Sequence, residues 1–212
     1  MRPSRTARPR RAFLTAVTGA AATTAGCALL PEEQEPIEAS AGRPASLPDA
    51  AVSERGYEET LSTETTVTVS ITVDLSGDVQ ISNTREVIAT VFRRGYAAED
   101  GRRFGVVTAP AVAVIEQPEV VRDPVAAVSA ARAVELATGA SVSSVSDWRS
   151  ASTRTVLGTE AESETATATA DDADVDLERA RVRADGDAVT AIAVAPAGVE
   201  SDPPFGEVTR DA

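Results

Sequence analysis

The sequence predicts an α+β protein in which a single antiparallel sheet of about six to eight strands is covered by one main helix, with a short N-terminal helix besides. Three observations support this fold class. Residues 65–75 alternate between apolar and polar side chains, the period of a half-buried strand. Turn sequences rich in Gly and Asp separate further strands of this kind. One Ala-rich segment carries the start and stop signals of a longer helix.

The first elements follow from local signals. Residues 46–49, Ser-Leu-Pro-Asp, predict a short helix with its serine as the N-cap and Gly56 as its end. The alternating strand 65–75 is expected to turn through three or five residues into a second strand, with Val73 opposite Ile81. Residues 87–92 are expected to continue this second strand, and 104–115 predict one or two more, interrupted at Pro110.

The main helix is predicted from Asp123 to Thr138. Asp123 is the expected N-cap, Pro124 fits the first helical position, and Gly139 is the expected stop. Its apolar side is broad and smooth because it is built largely from alanine, which suits a helix lying across a sheet.

Two later strands carry opposite charges at matching spacing. An antiparallel hairpin around the acidic turn 171–176 pairs these charges on one face and leaves small apolar residues on the other. The expected pairs of this structural charge ladder are Glu160 with Arg183, Glu162 with Arg181 and Glu164 with Arg179. The alternative interpretation of the three arginines is an anion-binding stripe.

Two other candidate sites compete with structural interpretations. Asp172, Asp174 and Asp176 alternate as in a calcium loop, but Leu177 stands where that loop needs Gly, which favours a solvated turn. Trp148 is the one tryptophan of the chain and fits either the rim of a ligand site or a core anchor.

The composition excludes much of the usual catalytic chemistry. The chain has 212 residues and 33 acidic side chains against 20 basic ones, which are all Arg, so its net charge is −13. Without Lys or His, and with Cys27 as its one Cys, it has no Schiff-base lysine, no histidine base and no disulfide. We expect no catalytic residues, no metal site and no cofactor. A net anionic surface also argues against nucleic acid as a partner.

The N-terminal segment 1–26 has the layout of an export signal. It contains five Arg and no acidic residue, and its uncharged stretch of 15 residues is too short to span a bilayer. Its signal motif resembles the twin-arginine export motif and consists of Arg10, Arg11, Phe13 and Leu14. The segment therefore predicts the twin-arginine export machinery as a partner.

The export signal ends at a sequence that resembles a lipobox. Thr24, Ala25 and Gly26 are small enough for the peptidase, and Cys27 follows as the residue that would receive the lipid. Cleavage there leaves 15 Arg against 33 acidic residues, a net charge of −18 on 186 residues. Residues 27–47, rich in Pro and Glu, are expected to form an acidic tether, 48–200 a single globular head and 201–212 a C-terminal tail.

The charge balance favours a protein adapted to molar salt, which screens the repulsion among its carboxylates. An acidic secreted protein of a high-GC bacterium is the alternative. Together with the export motif, the lipobox and the tether, the sequences at 44–58 and 156–160 resemble a family of haloarchaeal lipoproteins that carry a domain of unknown function. The resemblance brings no catalytic or binding residue with it.

These observations predict a noncatalytic lipoprotein on the extracellular face of the cell membrane. Its expected partners are the membrane, through the lipid on Cys27, and an envelope protein or a small ligand. The alternatives are an envelope enzyme that uses carboxylate chemistry and a largely disordered acidic coat.

Overall fold

The computed structural model describes residues 34–75, 81–116 and 119–210 of the chain. These residues form mainly strands. The strands are β1 (Ile37–Ser40), β2 (Ala45–Ser46), β3 (Tyr57–Leu75), β4 (Ile81–Ala98), β5 (Arg103–Pro110), β6 (Val112–Glu116), β7 (Glu119–Arg122), β8 (Val142–Val145), β9 (Arg149–Val156), β10 (Thr159–Ala170), β11 (Ala173–Ala184), β12 (Asp187–Pro196) and β13 (Thr209–Arg210). The helical segments are α1 (Asp49–Glu54), a 3₁₀ turn (Pro124–Ala127), α2 (Ala130–Thr138) and a second 3₁₀ turn (Phe205–Glu207).

The described strands build one nine-stranded sheet and two small two-stranded sheets. In the large sheet β3 forms one edge, and β4, β5, β12, β11 and β10 follow in that order. β1 pairs with β4 in parallel, whereas β8 and β9 pair with β10 in antiparallel fashion on the edge away from β11. The sheet curls, so that the apolar faces of β3 and β10 contribute to one core.

Strands β9 to β12 form a meander because each hairpin turn contains two residues with positive φ. The turns are Leu157-Gly158, Asp171-Asp172 and Asp185-Gly186. Two consecutive residues of this kind make a type I′ turn, whose twist matches that of the flanking strands. The turns fix the register of the four strands, so that Glu164 lies opposite Arg179.

A larger core lies between the large sheet and three short covering segments. The alternating residues of β3 supply Val67, Val69, Ile71 and Val73 to this core. The cover consists of the β6–β7 hairpin, the 3₁₀ turn Pro124–Ala127 and helix α2, all of which bury apolar side chains in the same cluster. The predicted alternation of residues 65–75 therefore marks a core-facing strand.

Helix α2 packs directly on the backbone of the sheet. A Cβ atom on Gly105 of β5 would overlap the carbonyl of Ala137, and one on Gly95 of β4 would lie 3.1 Å from the same carbonyl oxygen. The two glycines thus make room for the helix, which ends at Gly139 in the left-handed conformation with φ of 74°.

A second core lies on the opposite face of the sheet, beneath the two ends of the described chain. Phe104 of β5 meets Phe205 in an edge-to-face contact with ring centroids 5.5 Å apart. The buried Leu47 N–H donates to the Tyr96 hydroxyl at 2.9 Å. The C-terminal segment is therefore part of the packed structure.

A buried ion pair fastens the same two ends to the sheet; we call it the terminal clasp. The carboxylate of Asp187 accepts hydrogen bonds from the Gly42 N–H at 3.1 and 3.2 Å and from Nη1 of Arg210 at 3.0 Å. Nη2 of Arg210 donates to the carbonyl of Ala184 at 3.0 Å. The clasp joins the segment after β1, the β11–β12 turn and β13.

The predicted fold class is wrong. Strands account for 63% of the structure and helix for only 13%, and no main helix covers the sheet. The predicted helix 123–138 is interrupted because Val128 is extended, with φ of −80° and ψ of 165°. The side chain of Ser129 then caps a new helix by accepting from the Arg132 N–H, so α2 is only nine residues long.

The folded part also extends beyond the predicted head of residues 48–200. β1 lies within the predicted tether 27–47, yet it adds a strand beside β4. In the predicted tail 201–212, Phe205 and Val208 are buried, and β13 pairs with β2. Both segments gain their order from distant parts of the chain.

Two local predictions are corrected as well. Helix α1 has Pro48 at its N-cap position with no side-chain hydrogen bond, because Ser46 belongs to strand β2. In the β3–β4 hairpin Val73 lies opposite Asn83, not Ile81. Leu75 lies opposite Ile81, so five residues, 76–80, separate the paired ends, which is the longer of the two predicted turn lengths.

Candidate functional site

The charge-ladder prediction leads to an opening between β10 and β11. The predicted register holds where Glu164 lies opposite Arg179, but the pairing of these strands ends one step later, at Ser163 and Ala180. Glu162 pairs with Thr153 and Glu160 with Thr155, both on β9. The second and third predicted rungs are therefore not formed, because the first half of β10 follows β9.

Side chains from three strands, one loop and the covering layer lie near the point where this pairing ends. We call this group the arginine cluster. It consists of Arg179, Arg181 and Arg183 on β11, Thr190 on β12, Glu164 on β10, Trp148 between β8 and β9, and Asp123 at the start of the first 3₁₀ turn.

The side chain of Arg179 is held in place by two contacts. Its Nε donates to the carboxylate of Glu164 at 2.8 Å. Its guanidinium carbon lies 3.9 Å from the centre of the Trp148 ring, within the range of a cation–π contact. Trp148 is half-buried and packs against the larger core, as the core-anchor alternative predicts.

The Arg181 side chain has weaker contacts with its neighbours than Arg179. The carboxylate oxygen with which it pairs belongs to Glu164 and lies 3.9 Å from Nη1, beyond hydrogen-bonding distance. Thr190 lies directly opposite Arg181 on β12, so the two side chains share one face of the sheet. Burial lowers the pKa of the Arg181 guanidinium and the neighbouring charge of Arg179 adds to this effect, whereas the carboxylates of Asp123 and Glu164 act in the opposite direction. The group nevertheless stays protonated.

Arg183 and Asp123 close the cluster on the side of the covering layer. Nη2 of Arg183 donates to the carbonyl of Val121 at 2.9 Å. Asp123 caps the 3₁₀ turn by accepting from the Val125 N–H at 2.8 Å. Burial raises the pKa of Asp123, while that hydrogen bond and the charges of Arg181 and Arg183 act in the opposite direction.

The cluster contains buried polar atoms that have no hydrogen-bond partner in the structure. They are Nε of Arg181, Oγ1 of Thr190 and Nε1 of Trp148. Thr190 is only 1% exposed. Since buried polar groups are nearly always paired, three unpaired ones in neighbouring positions need a reason.

The chemistry of the arginine cluster is that of hydrogen-bond donation to a negative charge. Guanidinium and indole N–H groups only donate, and the threonine hydroxyl can also donate. Glu164 offsets part of the positive charge, and the Arg179 hydrogen bond lowers the pKa of its carboxyl group. Among residues 34–75, 81–116 and 119–210, no group of side chains is arranged to hold a metal ion.

The acidic turn that resembles a calcium loop is divided by the hairpin. Asp171 and Asp172 form the turn itself, whereas Asp174 and Asp176 lie on β11. Asp176 accepts from the Gly198 N–H at 3.0 Å. Its carboxylate thus holds the chain after β12 in place.

The predicted export and lipidation residues lie outside the described residues. They are Arg10, Arg11, Phe13, Leu14, Thr24, Ala25, Gly26 and Cys27. In the described part of the chain, no helix is both long enough and apolar enough to cross a bilayer.

Residues 44–211 match a protein family described as Domain of unknown function (DUF6517). The match covers most of the chain, so the protein belongs to this family. It includes the arginine cluster, the buried residues of both cores and the Asp187–Arg210 pair of the terminal clasp, whereas Gly42 lies just before it. No curated protein and no solved structure matches the chain.

Proposed function

We propose that this protein is an exported lipoprotein, held on the extracellular face of a haloarchaeal cell membrane by a lipid on Cys27, with its DUF6517 head acting as a noncatalytic binding module. The anchoring part of the proposal is supported by the position of Cys27. It is the one cysteine of the chain, and it follows the small residues Thr24-Ala25-Gly26 at the end of the arginine-bearing leader.

The binding part is supported by the unpartnered polar atoms of the arginine cluster. A buried polar atom left without a hydrogen bond is unfavourable unless something else binds it. The chain offers no imidazole, amine or second thiol for catalysis. The two carboxylates of the cluster are already engaged, Glu164 by the Arg179 side chain and Asp123 by the Val125 N–H, which leaves the donors suited to holding an anion.

The start of the folded part determines how far the head can lie from the lipid. Nine residues, 28–36, separate Cys27 from β1. Even fully extended, this stretch spans about 35 Å. A lipid on Cys27 therefore keeps the described head next to the membrane, within reach of solutes and proteins of the envelope.

The anchor is tested by expressing the full chain with its leader in a haloarchaeal host and comparing it with a Cys27→Ser variant. We expect the wild type in the detergent phase, with mass spectrometry showing a lipid on a new N-terminal Cys27. The Cys27→Ser variant should instead appear in the aqueous fraction. An unmodified Cys27 preceded by an intact leader contradicts the proposal.

The export route is tested by a double substitution, Arg10→Lys with Arg11→Lys. The twin-arginine route reads the arginine pair itself, so this variant should accumulate inside the cell with its leader attached. The matched control is Arg5→Lys with Arg8→Lys, which changes the leader charge equally little and should export normally. Equal export of the two variants excludes this route.

The alternative function is an envelope enzyme that uses carboxylate chemistry. Asp123 is the group that favours it, because burial raises the pKa of this carboxyl and would let it act as an acid. Such an enzyme requires Asp123 for turnover. A noncatalytic head requires only the N-cap hydrogen bond, which asparagine also provides.

A further inference from the structure

The strand pairing of the sheet is interrupted beside Arg181. On one side Arg181 faces Thr190 of β12. On the other side, the paired part of β10 has already ended at Ser163, and Glu162 is engaged with Thr153 of β9. Arg181 therefore lacks the cross-strand neighbour that a regular sheet provides.

The atoms around this opening are chemically alike. Nε of Arg181, Oγ1 of Thr190 and Nε1 of Trp148 are buried, and each can donate a hydrogen bond. Thr190 is the strongest indication, since its residue is 1% exposed and its hydroxyl has no acceptor in the described structure. Valine has nearly the same shape and would fill that place without an unpaired polar atom.

The excess of positive charge in the cluster indicates the class of ligand that it can bind. Three arginines face two carboxylates, those of Glu164 and Asp123, and the charged form of Asp123 is disfavoured by burial. This local positive excess lies in a chain whose net charge is −13. It favours an anion with oxygen acceptors, which guanidinium and hydroxyl donors bind at short range.

We propose that the arginine cluster is a binding site for a small oxyanion, the phosphate or carboxylate group of an envelope solute. The anion accepts from Nε of Arg181 and from Oγ1 of Thr190, and it lies beside the indole of Trp148. Arg179 is a positioning residue, because its side chain is already held by Glu164 and the Trp148 ring. This inference rests on the binding role proposed above and names its ligand class.

The test uses the full-length, detergent-solubilised protein in molar sodium chloride. Inorganic phosphate and acetate are titrated separately, each against added chloride at equal ionic strength. Molar salt screens long-range attraction, so saturable binding must come from direct contacts. Because Trp148 is the one tryptophan, its fluorescence reports on the cluster alone. We expect phosphate, acetate or both to saturate the signal while chloride does not.

Substitutions distinguish a specific binding site from nonspecific attraction by positive charge. Arg181→Gln and Thr190→Val should each weaken the binding of the preferred probe about tenfold. Glu164→Gln should tighten it, because a competing negative charge is lost. Arg132→Gln is the matched control, since it removes an exposed arginine of α2 that pairs with Glu135, and it should bind like the wild type.

The inference is overturned if neither phosphate nor acetate binds the wild type more strongly than chloride, or if Thr190→Val and Arg181→Gln bind as Arg132→Gln does. Thr190→Val keeps the test valid even if Arg181→Gln does not fold. Phase partition of the same preparations shows independently whether the anchor on Cys27 is present. Loss of anion binding in a lipidated protein refutes this inference and leaves the membrane anchor standing.

Discussion

Arg210 in the terminal clasp and Arg181 in the arginine cluster are two arginines with different surroundings. The Arg210 side chain is 10% exposed, and its Nη1 lies 3.0 Å from the carboxylate of Asp187, which is itself 5% exposed. The Arg181 side chain is 31% exposed, and its Nη1 lies 3.9 Å from the carboxylate oxygen of Glu164. Each has an unpartnered Nε, but only Arg210 has a close buried counter-charge.

This difference separates the structural ion pair of the clasp from the oxyanion site proposed at the arginine cluster. Removing one partner of a buried pair leaves the other charge uncompensated, so the clasp should be essential for stability. The cluster already contains unpaired atoms, so parts of it should be removable without loss of stability. The contrast is tested most strongly at the clasp.

The largest expected effect follows Asp187→Ala. This change leaves the buried Arg210 without its carboxylate and the Gly42 N–H without its acceptor. We expect the free energy of unfolding to fall by about 3–5 kcal/mol, measured by denaturant unfolding in constant molar salt. The control is Asp185→Asn, which tolerates the positive φ of this turn position and removes a carboxylate that is 69% exposed and 4.0 Å from Arg210. It should stay within about 0.5 kcal/mol of the wild type. Equal losses in the free energy of unfolding would contradict a stabilising role for the terminal clasp.

A second comparison uses two threonines that are each 1% exposed. Oγ1 of Thr108 accepts from the Ala45 N–H at 3.0 Å, whereas Oγ1 of Thr190 has no partner. Thr108→Val should therefore destabilise the protein by about 1–3 kcal/mol, and Thr190→Val should stabilise it by about 1 kcal/mol. Thermal unfolding in phosphate-free and acetate-free buffer gives both signs. If both variants lose stability, the unpaired hydroxyl of Thr190 has a structural partner.

A smaller effect concerns Glu164 at low pH. The Arg179 hydrogen bond lowers the pKa of Glu164 below its usual 4.5, so the charged carboxylate is favoured by folding. Its contribution is present above pH 4.5 and is lost as the pH falls through the folded pKa. Because the group is partly exposed, we expect less than about 1 kcal/mol. Glu164→Gln should lose less stability than the wild type on acidification, which unfolding curves at pH 7 and in acid compare directly.

The smallest effect has the opposite sign and concerns Asp123. Burial raises its pKa above the usual 3.8, so its contribution is present below that pH and is lost as the pH rises through the folded pKa. Asp123→Asn keeps an acceptor for the Val125 N–H and removes the buried charge. At pH 7 it should be as stable as the wild type or slightly more so. A large loss of stability at pH 7 shows that the Asp123 charge is needed by the arginines.

Local sequence signals predicted those parts of the fold that depend on neighbouring residues. The strand at 65–75 follows from its alternation, and the pairing of Glu164 with Arg179 follows from matched spacing across one turn. The helix prediction failed because Val128-Ser129 introduces a second N-cap, a signal that the sequence does contain. A prediction that follows the apolar periodicity alone misses this second N-cap.

The remaining features depend on contacts between distant segments. Nothing near β1 or Phe205 indicates that these segments pack on β4 and Phe104. Likewise, the three rungs predicted for the charge ladder assume that β10 stays with β11, whereas it continues with β9. The arginines of the cluster were found from their spacing. Thr190 joins them only through the pairing of β11 with β12, which no local pattern reveals.

The most direct test of the account is the indole N–H resonance of Trp148, which is single because the chain has one tryptophan. In ¹⁵N-labelled full-length protein in molar sodium chloride, the account predicts that phosphate or acetate shifts this resonance along a saturating curve. In Thr190→Val the curve should move to about tenfold higher anion concentration. A resonance that does not move with either anion, or that moves identically in Thr190→Val, contradicts an oxyanion site at the arginine cluster.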